Sequence, residues 1–144
     1  MKLDDVLKEF NEESSISKFF DRITNKVFFE KSIEAIERLK KESSGKQILI
    51  DVGAGSIDWE GCTAIYLNYQ TISLTGDTEI LYERIKTRAL ENGSVESRTL
   101  EQYTKSEFMP HKIALYEKAT YNLDTTKLSK DDIAKKIIEI SQDK

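Results

Sequence analysis

The residues with the clearest potential for chemistry form a glycine-containing turn. Gly53, Ala54, Gly55 and Ser56 directly follow an apolar run at residues 47–52. Glycines in such a turn let the backbone approach a ligand closely and leave amide groups available for an anion or a hydroxyl. The same letters also fit a simple strand-to-helix turn, and the local sequence leaves both interpretations open.

Charged side chains provide two further candidates. Asp4 and Asp5 stand where a helix is expected to begin, where acids either hold hydroxyls or a metal ion or simply favour the helix dipole. Basic residues border a polar segment at residues 89–98 and can close over phosphates or complement a helix end. These basic residues are Arg84, Lys86, Arg88 and Arg98.

A phosphate-binding loop is missing from the 144 residues. Such a loop needs GxxxxGK followed by Ser or Thr, between a strand and a helix. Gly45-Lys46 is followed by Gln47 and precedes a predicted strand, so we interpret it as a helix end. With one Cys and one His, a disulfide framework and a Cys-based zinc site are excluded, and no metal site is predicted.

Composition narrows the function classes further. Twenty-two basic and 26 acidic residues give a net charge of −4, which argues against a nucleic-acid partner. No apolar run is long enough to span a membrane. The charged start of the chain is unlike a signal peptide, so the expected location is cytoplasmic.

The elements that must position these residues alternate along the chain. We expect a single α/β domain over residues 1–144, with a parallel sheet of about three strands flanked by helices in three layers. The predicted strands cover residues 47–52, 71–75 and 121–125. The predicted helices cover residues 4–12, 16–23, 27–41, 59–66, a segment from Asp77, 99–119 with an interruption at Pro110, and a segment from Ser129.

Taken in order, these segments resemble the shikimate kinase family, whose members have a nucleoside-monophosphate-kinase-like P-loop fold. Residues 48–56 resemble the family's strand and GGG substrate motif, and residues 71–84 resemble the later strand and the helix leading to the lid. Residues 97–100 resemble the lid's RPLL segment, and residues 112–119 resemble the RxPLYxxxA segment. The similarity covers nearly the whole chain.

The resemblance implies ATP-dependent phosphorylation of a small hydroxylated carboxylate, in aromatic amino acid biosynthesis. It implies that Asp5, as the second acid of a DxD motif, holds substrate hydroxyls, while Lys112 pairs with the carboxylate. Arg98 would be the catalytic cation that closes over the phosphates. The remaining assignments are substrate contacts by Gly53, Ala54 and Gly55, and cofactor binding by Arg88.

Departures from the family pattern weaken this activity. The family's first strand, P-loop and first helix are missing, Phe29 stands where an Arg is expected, and Lys112 replaces an Arg that would bind a carboxylate bidentately. We expect ATP and magnesium to bind only where the P-loop is supplied, and no ATP turnover by this chain alone. Three outcomes are open for the gap in the sheet: the sheet closes up, a homodimer or a partner chain covers the gap, or the sequence is a fragment of a longer chain.

Two other functions remain open at this point. One is a non-catalytic pseudo-kinase module that binds a small ligand or a protein partner. The other is a different small-molecule kinase of the same fold class, because the positions that changed are those assigned to the substrate. Whether the chain is an enzyme is therefore left undecided by the sequence.

Overall fold

The structure, a computed structural model, describes residues 1–11, 15, 16, 20 and 22–142. The chain divides into two compact units, Met1–Ile65 and Tyr66–Lys144. The single domain expected over residues 1–144 stays a prediction. Half of the helix expected at residues 16–23 falls outside the described residues.

Two helices form the centre of the first unit. Helix α1, Leu3–Phe10, packs against helix α2, Asn25–Glu42. Apolar side chains recur every three or four residues on each helix, so that one face of each is buried against the other. The most buried of these side chains are Leu3, Leu7, Phe28 and Phe29.

The strand expected at residues 47–52 makes only one bridge in the described residues. Asp51 pairs in parallel with Lys2, and the Leu3 amide donates to the Asp51 carbonyl at 2.9 Å. Pairing stops there because the chain enters α1 directly after Lys2, and a helical backbone uses its amides internally. The described residues therefore contain two ladder strands, where about three were expected.

A buried pair of hydroxyls fixes the turn that follows. Ala54–Ile57 is one turn of 3-10 helix, and the Ser32 and Ser56 hydroxyl oxygens are 2.8 Å apart. Ser32 also donates to the Phe28 carbonyl at 2.9 Å. Because a hydroxyl has a single proton, Ser56 must be the donor between the two serines. This pair ties the turn to α2.

The second unit is built around a parallel pair of strands. Strand β1, Ile72–Thr75, pairs with strand β2, Tyr121–Asp124, and Ile72 lies opposite Tyr121. The short helix α3, Cys62–Tyr66, precedes β1 and spans the boundary between the units in the chain. The later helices are α4, Thr78–Glu91, α5, Leu100–Glu107, α6, Pro110–Glu117, and α7, Lys130–Gln142.

Local sequence signals set the helix ends of this unit. Asp77 accepts hydrogen bonds from two amides at the start of α4, as an N-cap does. Pro110 occupies the first turn of α6 and divides the helix expected over residues 99–119. Ser129 and Asp132 exchange hydrogen bonds at the start of α7. Each of these predicted boundaries is confirmed.

The predicted α/β class is confirmed, because the protein is mostly helical with a small parallel sheet against which α6 packs. Within the described part of the chain, no helix has both the length and the apolar character needed to cross a membrane. The expected homodimer or partner chain at the sheet stays a prediction.

Candidate ligand-binding cleft

The first unit contains a small cleft beside the start of α1. Its volume is about 200 Å³. The rings of Phe20 and Phe28 meet edge to face, with centroids 5.0 Å apart, and give it an apolar wall. The described residues that line the cleft are Asp4, Ile16, Phe20, Phe28, Gly55 and Asp58. The cleft therefore combines aromatic surface with carboxylates.

Two glycines allow the turn to lie against this cleft. A Cβ at Gly53 would overlap the Asp4 carboxylate, and a Cβ at Gly55 would lie 3.1 Å from the Phe20 ring. Ala54, between them, is exposed, so its methyl group is accommodated. A side chain is therefore accommodated at the middle position of the glycine motif, whereas a side chain at either neighbour would require the Asp4 carboxylate or the Phe20 ring to move.

Asp4 carries an unsatisfied polar atom at this cleft. Its Oδ1 is buried and has no hydrogen-bond partner among the described residues. Burial raises the pKa of the Asp4 carboxyl, the negative charges of Asp51 and Asp5 raise it further, and Lys8 and Lys2 act in the opposite sense. An unsatisfied buried carboxylate opposes folding, and perturbed acids of this kind cluster at functional sites.

Asp5, the acid that the resemblance assigns to substrate hydroxyls, lies on another side of α1. Its side chain is 67% exposed and forms an ion pair with Lys8 at 3.4 Å. Successive helical residues are about 100° apart around the axis, so two adjacent acids cannot both face the glycine turn. The structure places Asp4 beside Gly53, and the role of Asp5 stays a prediction.

An aromatic pair occupies the position at which the resemblance implies an Arg. Phe29 is 2% exposed, and its ring centroid lies 5.2 Å from that of Trp59. A buried phenyl ring cannot form an ion pair with a carboxylate. The departure seen in the sequence has therefore replaced charge recognition with apolar packing.

Lys112, in the second unit, is also committed to its own surroundings. The residue is 2% exposed, and its ammonium group donates to the Ser106 carbonyl at 2.9 Å. This hydrogen bond joins α6 to the preceding helix α5. The substrate-binding role that the resemblance implies for Lys112 stays a prediction.

Arg98 forms a bidentate ion pair with a neighbouring acid. Its Nε and Nη2 donate to the Glu96 carboxylate at 2.7 and 3.1 Å, and its backbone amide donates to the same group at 3.0 Å. These hydrogen bonds hold the pKa of Glu96 below its usual value. The Tyr82 hydroxyl donates to the Arg98 carbonyl. The sequence interpretation did not consider Glu96, although it stands only two residues before Arg98.

The two remaining arginines differ in their surroundings. Arg84 donates to the Thr125 hydroxyl and to the carbonyls of Thr125, Thr126 and Leu128, at 2.7 to 3.4 Å. It thus fixes the loop after β2 against α4. Arg88 is exposed in the last turn of α4, where its charge complements the helix dipole. Its assignment to a cofactor stays a prediction.

A second, more open groove of about 650 Å³ lies near the ends of the strands in the second unit. Its polar groups are engaged in turns: Asp77 donates its amide to the Thr126 hydroxyl at 2.9 Å, and Thr126 donates its amide to Asp124 at 2.9 Å. Hydrogen bonding from Thr126 holds the pKa of Asp124 below its usual value. These polar groups of the groove are therefore bonded to one another within the loops that form it.

The described residues do not fit a complete nucleotide and magnesium site. No three of their His, Cys, Asp and Glu side chains lie close enough together to hold a metal ion. The phosphate-binding motif is missing from the sequence, and the cation assigned to the phosphates already has Glu96 as a partner. The role of Arg98 at the phosphates stays a prediction.

The family model described as shikimate kinase matches residues 1–142. The chain therefore belongs to the shikimate kinase family, a family of ATP- and magnesium-dependent kinases in aromatic biosynthesis. No curated protein and no solved structure matches the chain.

Proposed function

We propose that this chain binds a small hydroxylated molecule in the cleft of its first unit. The observation that carries the proposal is the buried Oδ1 of Asp4, which has no partner among the described residues. A ligand hydroxyl that donates to this oxygen would satisfy it, and hydrogen bonds to a charged acceptor are stronger than those between neutral groups. Family membership supports a ligand of this kind.

The other residues of the cleft would complete the binding. Gly53 and Gly55 let the turn lie against the cleft, because a Cβ at Gly53 would overlap the Asp4 carboxylate and a Cβ at Gly55 would lie 3.1 Å from the Phe20 ring. Phe20 and Phe28 offer apolar surface to the carbon skeleton of the ligand. Binding pockets commonly combine an apolar lining with a few polar groups that fix the ligand's orientation.

The catalytic part of the proposal depends on residues that the sequence lacks. ATP, when bound, would supply the phosphoryl group that the family transfers to a substrate hydroxyl, with ADP as the leaving group. We propose that ATP and magnesium serve this chain only where P-loop residues are supplied. Purified residues 1–144 should show no magnesium-dependent ATP consumption, and measurable consumption would contradict this part of the proposal.

A non-catalytic ligand-binding module is the second candidate. The Glu96–Arg98 pair favours it, because a guanidinium held bidentately by a carboxylate is not available to phosphates until that pair opens. The two candidates share the same cleft and differ in ATP turnover. Adding a P-loop-containing fragment in trans would separate them, since only the kinase candidate predicts that ATP consumption appears.

Ligand binding is tested by calorimetry and thermal unfolding with shikimate and its primary carboxamide. We expect Asp4→Asn to abolish the binding that the unaltered chain shows. Glu9→Gln is the matched control, because Glu9 is an exposed acid on the same helix, and it should leave binding unchanged. The proposal is overturned if neither compound binds the unaltered chain, or if Asp4→Asn binds as well as the control does.

A further inference from the structure

In the loop before α5, one carboxylate accepts hydrogen bonds from three donors of a single arginine. The Glu96 carboxylate accepts from the Arg98 Nε at 2.7 Å, from its Nη2 at 3.1 Å and from its backbone amide at 3.0 Å. The planar guanidinium matches the oxygens of a phosphate group as well as those of a carboxylate, and backbone amides bind phosphate oxygens too. The donors that Glu96 occupies therefore also suit a phosphate group.

Two tyrosines support Arg98 independently of Glu96. The Tyr82 hydroxyl donates to the Arg98 carbonyl, and the guanidinium carbon lies over the Tyr103 ring, 5.3 Å from its centroid. Tyr103 is buried, and its ring centroid lies 5.5 Å from that of Tyr82. A cation over an aromatic face is held by the ring as well as by its ion-pair partner. Arg98 should therefore stay near this position when the carboxylate is displaced.

The pair is open to a competing anion. The Arg98 side chain is 37% exposed, and an ion pair with this exposure is weak. Glu107 also acts on the charge of Arg98, but its carboxylate accepts a hydrogen bond from the Tyr116 hydroxyl at 2.9 Å. Glu96 is therefore the acid whose displacement would release the Arg98 donors.

We propose that the Glu96–Arg98 pair is an autoinhibitory contact: Glu96 holds the donors of Arg98 and must be displaced before a phosphate group binds there. The carboxylate and the phosphate compete for the same donors, so the closed fraction of the pair lowers the affinity for phosphate. This inference concerns the second unit and does not depend on ligand binding in the cleft of the first unit.

The competition is tested by calorimetry on the full chain at low salt, with inorganic pyrophosphate and ADP as probes. Glu96→Gln should bind pyrophosphate about tenfold more tightly than the unaltered chain does, because it removes both the competing carboxylate and its repulsion. Glu101→Gln is the matched control, since Glu101 is an exposed acid in the first turn of α5 that pairs with Lys105, and it should leave the affinity unchanged. Adding Arg98→Gln to Glu96→Gln should abolish the gain.

The probes and variants give each outcome a meaning. A gain with pyrophosphate shows that a free diphosphate is sufficient, whereas a gain with ADP alone assigns the phosphates to a nucleotide, and both support the contact. Glu96→Ala is a second variant that removes the same carboxylate and should give the same gain. The proposal is overturned if removing Glu96 gives no gain with either probe. It is also overturned if Glu101→Gln gives an equal gain, or if the gain persists without Arg98.

Discussion

The charged candidate residues Asp4, in the first unit, and Arg84, Arg98 and Lys112, in the second, differ in their hydrogen bonding. In the first unit, Asp4 has a buried carboxylate oxygen without a partner among the described residues. In the second unit, Arg84, Arg98 and Lys112 all donate to oxygens of neighbouring residues. Satisfied groups stabilise a fold, whereas an unsatisfied one lowers stability and is retained where a ligand completes it. This contrast is consistent with the proposed ligand contact at Asp4, while the roles that the resemblance implies for Arg98 and Lys112 stay predictions.

The largest expected effect comes from removing a structural cation of the second unit. Arg84→Ala loses the hydrogen bonds to the loop after β2 and leaves part-buried carbonyls without their donor. We expect a loss of about 2–3 kcal/mol in the free energy of unfolding, measured with urea. Arg88→Ala, on the exposed end of the same helix, is the control and should change stability by less than about 0.5 kcal/mol. Equal effects of the two substitutions would contradict the structural role of Arg84.

Gly53→Ala tests the close approach in the first unit. The added methyl group would overlap the Asp4 carboxylate, and overpacking of this kind lowers stability by about 2 kcal/mol. The double variant Gly53→Ala with Asp4→Ala should recover most of the lost stability, because the carboxylate that the added methyl group overlaps is then absent. Additive effects in this double-mutant cycle would show that the two residues are not in contact.

Asp4→Asn should stabilise the folded chain at neutral pH. The pKa of Asp4 is raised above its ordinary value of 3.8, so the folded state binds more protons than the unfolded state as pH rises through that range. The free energy of unfolding therefore falls as pH rises from the ordinary pKa to the raised one. The asparagine variant has no carboxyl group to titrate at this position and avoids this loss. Because the carboxyl is only about half buried, solvent screening limits the expected gain to about 0.5–1 kcal/mol at neutral pH, and the gain disappears in acid. A destabilised variant at neutral pH would show that the carboxylate supports the fold.

The smallest effect is expected at the Glu96–Arg98 pair. The pKa of Glu96 is lowered from its ordinary value of 4.5. The pair's contribution to the free energy of unfolding is therefore fully present above pH 4.5, and it is lost as pH falls through the lowered pKa of the folded state. Since the Arg98 side chain is 37% exposed, screening limits the contribution to about 0.5 kcal/mol. In urea denaturation at low salt, Glu96→Gln should lower the free energy of unfolding by this amount. Added salt should lower the free energy of unfolding of the unaltered chain by a similar amount, because it screens the ion pair. A loss as large as that of Arg84→Ala would refute this ordering.

Local signals in the sequence predicted much of the fold. The cap at Asp77, the helix start at Pro110 and the reciprocal bonds of Ser129 with Asp132 depend on neighbouring residues alone. The strand predicted at residues 47–52 makes only one bridge in the described residues, because a strand needs a partner strand over its length and the local sequence does not reveal whether one is present. The family resemblance, carried by ordered segments, is confirmed by the match over residues 1–142.

The candidate site was harder to predict than the fold. The sequence pointed to the glycine turn and to two adjacent acids, but the rotation of α1 against that turn decides which acid faces it. Tertiary packing also joins Ser32 to Ser56 across 24 residues, a contact that no local pattern indicates. The Glu96 partner of Arg98 was visible in the sequence as an acid two residues away, and attention to that spacing would have found it.

The most direct test of the contrast between the two units is an NMR titration of the full ¹⁵N-labelled chain with the primary carboxamide of shikimate. The account predicts the largest amide shift changes at Asp4, Gly53 and Gly55, with Arg98 and Lys112 unchanged. The largest changes at Arg98 and Lys112, with the glycine turn unchanged, would contradict it.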